Sequence, residues 1–271
     1  MHGRIDAPAN GGPHPTLICL HGFRAHMDWG FFPDFARHAV AQGLCVVRFS
    51  FSGSGVPPGT DQLTDRKSFA RDTYGKQLED LAAVHQALDA GEIPEADPEC
   101  WSILGHSRGS GIALIHAAER GDARAFVGWA QITTPGSWTP EAKARWRDAG
   151  VHRIKHGRGA EPLELGTEIL DDLELQAERY DLLARAGELS CPALLLHGAR
   201  DIAISTAEAA AIHAALPPGS GRLTVLERTG HTFGVRHPME RTPEGYVQLR
   251  AESLAFLAEH GRRADPPVSR A

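Results

Sequence analysis

One serine of this sequence stands between two glycines, in the stretch LGHSRGSG that runs from Leu104 to Gly111. Ser107 follows the strand-like run CWSI and precedes an apolar run with helical spacing. Glycine permits sharp turns and the close approach of another element, because it has no Cβ. The spacing G-x-S-x-G between a strand and a helix is typical of a nucleophile elbow, a turn that presents a serine hydroxyl. The alternative is an ordinary turn in which the glycines serve packing and Ser107 caps the helix.

A nucleophilic serine needs two further groups. Its hydroxyl is weakly reactive, so an imidazole must take the proton and a carboxylate must orient that imidazole. Asp201 comes directly after the apolar run PALLLHGAR, and His231 comes directly after RLTVLERTG. The order serine, acid, histidine along the chain is the order that accompanies a nucleophile elbow. We therefore predict that Ser107, Asp201 and His231 form a catalytic triad.

Rival residues exist for the base and for the acid. His237, in the same loop as His231, is the competing base. The other position for the acid follows the run AFVGWAQI, and only Gln131, Thr133 and Thr134 fall there. Asp201 therefore has little competition as the orienting carboxylate.

Acyl transfer also requires hydrogen-bond donors for the oxyanion of the tetrahedral intermediate. One donor should be the backbone N–H of Arg108, the residue after the serine, and the other should come from the loop HGFRAH. Within that loop we favour the backbone N–H of Phe23 over that of Arg24. The alternative for this loop is a plain turn at the end of a strand.

The elements that would position these groups are short apolar runs separated by longer segments with helical spacing. The runs are TLICLHG, LCVVRFS, CWSILGHS, AFVGWAQI, PALLLHG and RLTVLE. Nearly continuous apolarity is typical of strands that are covered on both faces, as in parallel sheets. Three of the intervening segments have helical spacing and end at glycine: FFPDFARHAVAQG, YGKQLEDLAAVHQALDAG and GIALIHAAERG. The fold class is therefore α/β, with a doubly wound, mostly parallel sheet.

Residues 135–190 interrupt this alternation. The segment contains helix-like stretches, TPEAKARWRDAG and TEILDDLELQAERYDLLARAG, but no convincing strand. We interpret it as a helical cap over the site, because ligands bind beyond the carboxyl ends of parallel strands. The alternative is a helical buttress for the sheet. Trp138 and Trp146 are possible substrate-pocket residues, although aromatic side chains belong to the core more often than to ligand sites.

Composition excludes several classes of partner. The 271 residues carry a formal net charge of -6, with a pI near 6.2, so there is no basic surface for nucleic acid or an anionic membrane. No apolar stretch approaches the length of a membrane span or of the core of a secretory signal. Four widely spaced cysteines lie in or beside apolar runs, which favours reduced core residues and a cytoplasmic protein.

Two weaker patterns point to other ligands. His152 and His156 are four residues apart and would share one helix face, as a zinc site requires, but no third ligand suggests itself. A solvated face is therefore the better interpretation, and no metal is predicted. The glycines of SFSGSG lack the spacing and the lysine of a phosphate-binding loop, so we interpret them as a turn that flanks the pocket.

The ordered motifs LICLHGF, VVRFSFSGSG, ILGHSRG, LLLHGARD and GHTFG together resemble the α/β-hydrolase family. They are particularly similar to small esterases of the cinnamoyl- or feruloyl-esterase and dienelactone-hydrolase-like type, over residues 16–260. The resemblance implies an eight-stranded, mostly parallel sheet, the triad named above, and carboxylic-ester hydrolysis without a cofactor. Two features depart from it: Arg108 stands where many relatives carry methionine or leucine, and only MHGRIDAP precedes the first buried strand.

These observations lead to one expected organisation. Residues 1–134 and 191–262 form an α/β-hydrolase core, residues 135–190 form the helical cap insertion, and residues 263–271 form a flexible tail. The expected activity is that of a serine hydrolase that cleaves small to medium carboxylic esters, with a small-molecule ester as its partner. An amidase or peptidase could use the same triad, and a non-catalytic binding module could use the same fold.

Overall fold

The apolar runs of the sequence form strands, and the segments between them form helices. The protein is described by a computed structural model that covers residues 1–136, 138–155 and 161–262. In chain order the strands are β1 (His2–Asp6), β2 (His14–Leu20), β3 (Cys45–Ser50), β4 (Ala96–His106), β5 (Phe126–Trp129), β6 (Val151–Ile154), β7 (Leu163–Gly166), β8 (Ala193–Gly198) and β9 (Gly221–Leu226). The predicted tail, residues 263–271, lies outside the described residues.

Seven of these strands form one sheet in the order β1-β3-β2-β4-β5-β8-β9. Every neighbouring pair is parallel except β1 and β3, which are antiparallel. The predicted fold class, a doubly wound and mostly parallel α/β sheet, is therefore confirmed. Among the described residues the sheet has seven strands, where the family resemblance implied eight. Strand β1 was not predicted, because its sequence HGRID is polar and largely exposed.

Helices cover both faces of the sheet. In chain order they are α1 (Phe32–Ala41), α2 (Arg66–Ala70), α3 (Tyr74–Asp89), α4 (Arg108–Arg120), α5 (Pro140–Ala149), α6 (Glu168–Leu175), α7 (Leu182–Gly187), α8 (Thr206–Ala215) and α9 (Glu244–His260). Successive side chains of a strand point to opposite faces. Accordingly, Ile18 packs in the same core as residues of α3, α4, α7 and α8, whereas Leu17 and Cys19 pack in a second core with residues of α1 and α9.

The segment predicted as a helical cap differs from that prediction in two ways. It contains an antiparallel pair of short strands, β6 and β7, in addition to its helices. Its packing also divides it in two. Trp146, Leu163 and Leu170 form a small core of their own with Phe69 of α2, whereas Leu182 in α7 belongs to the main core beside the sheet. Helix α7 is therefore the crossover that leads into β8.

All four cysteines are free and buried. Burial raises the pKa of Cys19, Cys45 and Cys191 to about 12, so these thiols stay protonated at neutral pH. Over the described ranges, no helix combines the length and the apolar character needed to cross a membrane.

Candidate active site

Ser107 lies at the turn between β4 and α4, in a backbone conformation that few residues adopt. Its φ is 54° and its ψ is -123°. A positive φ is costly for a residue with a Cβ, and such strain persists only where surrounding contacts hold it. Here the backbone N–H of Ser107 donates to the carbonyl of Trp129 on the neighbouring strand at 2.8 Å. This hydrogen bond to the neighbouring strand therefore helps to hold the strained turn in place.

The two glycines of the motif are explained by close packing. A Cβ on Gly105 would lie 2.3 Å from the carbonyl oxygen of Gly109. A Cβ on Gly109 would lie 2.5 Å from the carbonyl oxygen of His21, at the end of β2. Real Cβ atoms do not approach that closely, so a side chain at either position would push α4 away from the sheet and displace Ser107.

Ser107, His231 and Asp201 form a continuous chain of hydrogen bonds. Nδ1 of His231 lies 2.8 Å from Oδ2 of Asp201, and Nε2 of His231 lies 3.0 Å from Oγ of Ser107. An ionised carboxylate can only accept, so Nδ1 carries the proton and donates it to Asp201. Nε2 is then left as the acceptor for the hydroxyl of Ser107. This tautomer is the one that a base acting on Ser107 requires.

The side chain of Asp201 is fully buried and surrounded by donors. Its Oδ1 accepts from the backbone N–H groups of Ala203 at 2.8 Å and Ile204 at 2.9 Å. Nε2 of His197, four residues before it, lies 3.3 Å from Oδ2. Burial alone would raise the pKa of Asp201, but hydrogen bonds from His197, His231 and Ile204 outweigh it and hold the pKa well below the usual range. The carboxylate therefore stays ionised.

His106 contacts both the backbone and the ring of His231. Its Nε2 donates to the backbone carbonyl of His231 at 3.0 Å, and the two ring centroids are 4.9 Å apart. Burial, together with the neighbouring His231, lowers the pKa of His106 to about 3. His106 is therefore a neutral imidazole with one fixed tautomer. Sequence reasoning missed the roles of His106 and His197, although His106 lies in the Ser107 motif and His197 in the Asp201 motif.

His237, the competing base, lies elsewhere in the loop after β9. Its Nδ1 accepts a hydrogen bond from the backbone N–H of Gly30 at 2.9 Å, and its ring packs edge-on against His26. The structure thus brings His231 to Ser107, whereas His237 holds the loop near Trp29 in place.

The two residues predicted to supply oxyanion donors both adjoin Ser107. Arg108 is the first residue of α4, and the first N–H groups of a helix lack partners within that helix. Phe23 lies in the turn after β2, beside Gly22. A Cβ on Gly22 would lie only 3.2 Å from Cβ of Ser107, which shows how closely this turn approaches the serine. Arg24 has a φ of 58°, and its guanidinium donates to the carbonyl of Lys155 at 2.9 Å.

Two cavities meet at Ser107 and His231. The smaller, of about 280 Å³, also borders Trp29 and His106. The larger, of about 400 Å³, extends beneath the insertion. Phe23 and Arg24 line both cavities, and Arg108 lines the larger one.

The insertion contributes Trp138, Leu165 and Ile169 to the larger cavity. Trp146, the other tryptophan predicted to line the pocket, is not among the described lining residues. It is 2% exposed, donates from Nε1 to the carbonyl of Leu165 at 3.0 Å, and packs edge-on against Trp138 at 5.1 Å. Trp146 therefore supports the cavity wall from behind.

The structure places His152 on a strand and not on the helix that a face shared with His156 would require. His152 lies on β6 and packs against the ring of Trp146, with centroids 4.9 Å apart, while His156 lies outside the described residues. Within the described part of the chain there is no group of three or more histidine, cysteine, aspartate or glutamate side chains that could hold a metal ion.

No protein-family model matches the sequence, and no curated protein matches it. Solved structures do resemble it. Est1E from Butyrivibrio proteoclasticus, with ferulic acid bound, matches with a TM-score of 0.69 at 17% identity, over 96% of this chain and 94% of that one. The esterase domain of a Rhodothermus marinus protein gives 0.61 at 19% identity, over 96% and 93%. The monoacylglycerol lipase of Paleococcus ferrophilus gives 0.67 at 14% identity, over 96% and 100%.

These likenesses extend over nearly the whole of each chain, although sequence identity is 14–19%. At such identity they establish how the chain folds and leave its chemistry to be argued from its own residues. In this chain the loops that carry Ser107, Asp201 and His231 meet at one edge of the mostly parallel sheet. The protein therefore has the α/β-hydrolase fold.

Proposed function

We propose that the protein is a serine hydrolase that cleaves small to medium carboxylic esters through an acyl-enzyme intermediate. The observation that carries this proposal is the chain of hydrogen bonds from Ser107 through His231 to the buried, ionised Asp201. It lies where two cavities meet, so a substrate could extend to both sides of the hydroxyl.

The proposed reaction has two steps, acylation of Ser107 and hydrolysis of the acyl-enzyme. Oγ of Ser107 attacks the ester carbonyl carbon while Nε2 of His231 takes the hydroxyl proton. The carbonyl oxygen becomes an oxyanion, which the backbone N–H groups of Phe23 and Arg108 stabilise. His231 then gives its proton to the departing alcohol oxygen, leaving an acyl-enzyme. A water molecule, deprotonated by His231, attacks the acyl carbon, and the proton returns to Ser107 as the carboxylic acid leaves.

In this proposal the first part of residues 135–190, which ends with α6, acts as a cap that shapes the larger cavity. Support comes from Trp138, Leu165 and Ile169, which belong to the insertion and line that cavity. The first part of the insertion has its own small core around Trp146, so it can vary without disturbing the sheet. The volume of about 400 Å³ suits a substituent of modest size.

A fluorophosphonate probe tests the proposed nucleophile. We expect one adduct by intact-mass spectrometry, located on Ser107 by peptide mapping. Ser107→Ala should abolish labelling and lower ester turnover by roughly 10⁴-fold or more while the protein stays folded. Ser190→Ala is the matched control, because this hydroxyl donates to the carbonyl of Gly121 far from the site. Labelling at another serine, or full turnover by Ser107→Ala, would refute the assignment.

Substrate class is tested with p-nitrophenyl esters of graded chain length, run beside aryl esters and aminoacyl amides. We expect turnover of esters and little turnover of amides. Trp138→Ala, assayed in the same series, should change the ranking of bulky esters and leave that of the acetate unchanged. An unchanged ranking would show that the insertion only buttresses the sheet.

A further inference from the structure

The side chain of Arg108 lies in an unusual place for a cation. It is buried, with 10% of the side chain exposed, directly after Ser107. Its guanidinium carbon lies 4.8 Å from the ring centroid of Tyr74 and 5.6 Å from that of Phe23. Nε donates to Oε1 of Gln77 at 3.1 Å. The group therefore bridges three elements: the start of α4, the start of α3 and the turn after β2.

A carboxylate lies near this cation without hydrogen-bonding to it. The nearest carboxylate oxygen, Oδ2 of Asp72, lies 3.8 Å from Nη2 of Arg108, and it accepts from Nε2 of Gln77 at 2.6 Å instead. Burial raises the pKa of Asp72 to about 6 despite the opposing effect of Arg108. Over the described residues, Nη2 of Arg108 is buried without a hydrogen-bond partner. Gln77 and the aromatic rings thus contact the guanidinium directly, since a planar guanidinium stacks well on aromatic faces, and Asp72 is a more distant counter-charge.

Phe23 is the residue that gains from this contact. It is half-buried in a short turn, and the following residue, Arg24, has a positive φ. Its ring also packs against Phe69 of α2, with centroids 5.4 Å apart, and the guanidinium carbon of Arg24 lies 5.8 Å from its centroid. A hydrogen-bond donor stabilises an oxyanion only when it is held at the position where negative charge develops. A displacement of about 1 Å can cost a large factor in rate.

We infer that Arg108 is a positioning residue: its side chain fixes the ring of Phe23, and through it the backbone N–H that Phe23 supplies to the oxyanion. This inference rests on the proposed function. One residue would then contribute to both donors, the first through its own backbone N–H and the second through its guanidinium. The departure of Arg108 from the methionine or leucine of the family resemblance acquires a role in this arrangement.

Three variants test the inference with p-nitrophenyl acetate, with kcat expressed per Ser107 titrated by fluorophosphonate. Arg108→Met keeps the backbone N–H and most of the bulk but removes the planar cation. We expect its kcat to fall about tenfold or more, with KM within about twofold, because the oxyanion exists only after attack. Phe23→Leu should reduce kcat in the same way, and the double variant should be no slower than the slower single variant.

Arg120→Met is the matched control. Arg120 lies at the other end of α4, and its guanidinium carbon lies 5.7 Å from the ring centroid of Trp101, so the same kind of contact is lost away from Ser107. Its kcat should stay within about twofold of the wild-type value. Arg108→Lys keeps the charge but not the planar stack, so it should resemble Arg108→Met.

The outcomes separate the two proposals. If the wild type is labelled at Ser107 and Arg108→Met retains full kcat, the positioning role is wrong and the proposed function stands. Independent, multiplying losses in the double variant would also overturn the role, because they would show that Arg108 acts without Phe23. If the wild type is neither labelled nor active, the proposed function fails and this inference fails with it.

Discussion

Two hydrogen-bonded histidines lie near the same helix, α4, in opposite surroundings. At its N-terminal end, His231 donates to the carboxylate of Asp201, and a quarter of its side chain is exposed. Farther along, Nε2 of His116 lies 3.0 Å from Nδ1 of His85, and both residues are buried. Burial lowers the pKa of His85 to about 4 and that of His116 to about 3. His231 thus has a carboxylate partner and borders a cavity, whereas the hydrogen-bond partner of His116 is the imidazole of His85.

The comparison shows which features make a histidine fit for proton transfer. An imidazole that must accept a proton during a reaction needs a partner that stabilises the imidazolium, and Asp201 provides that charge. In the part of the chain that the structure describes, no carboxylate hydrogen-bonds to His116. Its hydrogen-bond partner, His85, has the carboxylate of Asp89 nearby, but the distance of 3.9 Å from Nε2 of His85 is too long for a hydrogen bond. His85 and His116, which we call the inner pair, therefore serve packing, and burial keeps both imidazoles neutral.

Removal of the imidazole should have the largest effect on turnover at His231 and little effect at His116. His231→Ala should lower kcat/KM for p-nitrophenyl acetate by roughly 10⁴- to 10⁶-fold, because among the described residues no other base lies within hydrogen-bonding distance of the Ser107 hydroxyl. His116→Asn should retain turnover. His237→Ala is a second control, since its Nδ1 serves Gly30. If His237→Ala is inactive and folded while His231→Ala is active, the base has been assigned to the wrong histidine.

Asp201→Asn should replace the charged partner of His231 by a neutral one, so that this pair resembles the inner pair. The amide can still accept or donate a hydrogen bond, but it cannot stabilise an imidazolium, and it can select the wrong tautomer of His231. We expect kcat to fall by roughly 10⁴-fold. Far-ultraviolet circular dichroism should show an intact fold, and fluorophosphonate labelling of Ser107 should slow in parallel. A loss of tenfold or less would show that the charge of Asp201 contributes little.

The inner pair should affect stability in acid. The folded protein keeps His116 neutral below its ordinary pKa of 6.5, whereas the unfolded chain binds the proton. This contribution to stability is therefore complete above that pKa and declines as pH falls towards 3. Between pH 6.5 and pH 5, one such group should lower the free energy of unfolding by about 2 kcal/mol.

Urea unfolding at these two pH values measures this effect. His116→Asn should show a smaller acid loss than the wild type, and His38→Gln, which replaces a partly exposed histidine of α1, should show the wild-type loss. An equal acid loss in His116→Asn and the wild type would contradict the prediction.

Much of the fold could be predicted because its signals are local. Buried parallel strands are continuous apolar runs, and the turn at Ser107 requires glycines within two residues of the serine. The meeting of Ser107, Asp201 and His231 followed from each residue standing after a strand, since parallel strands end at the same edge. These features depend on sequence neighbours and on general rules for sheets.

Other features depend on contacts between distant segments. Strands β6 and β7 have only four residues each, and three of the first strand's four residues are partly buried rather than alternating in and out. These two segments are recognisable as strands mainly because they pair with each other. The contact of Arg108 with Phe23 and Tyr74 joins three segments, and no spacing in the sequence indicates it. Trp146 was predicted at the pocket because its type suits ligands, yet its neighbours enclose it.

The four buried thiols can be used to measure local opening of the sheet. Cys19, Cys45 and Cys100 lie on three adjacent central strands, and Cys191 precedes β8. A shielded thiol is out of reach of an alkylating reagent, so modification must wait for the surrounding strands to separate. Alkylation of each cysteine, followed over time by mass spectrometry, would therefore reveal which part of the sheet breathes first and which opens only on complete unfolding.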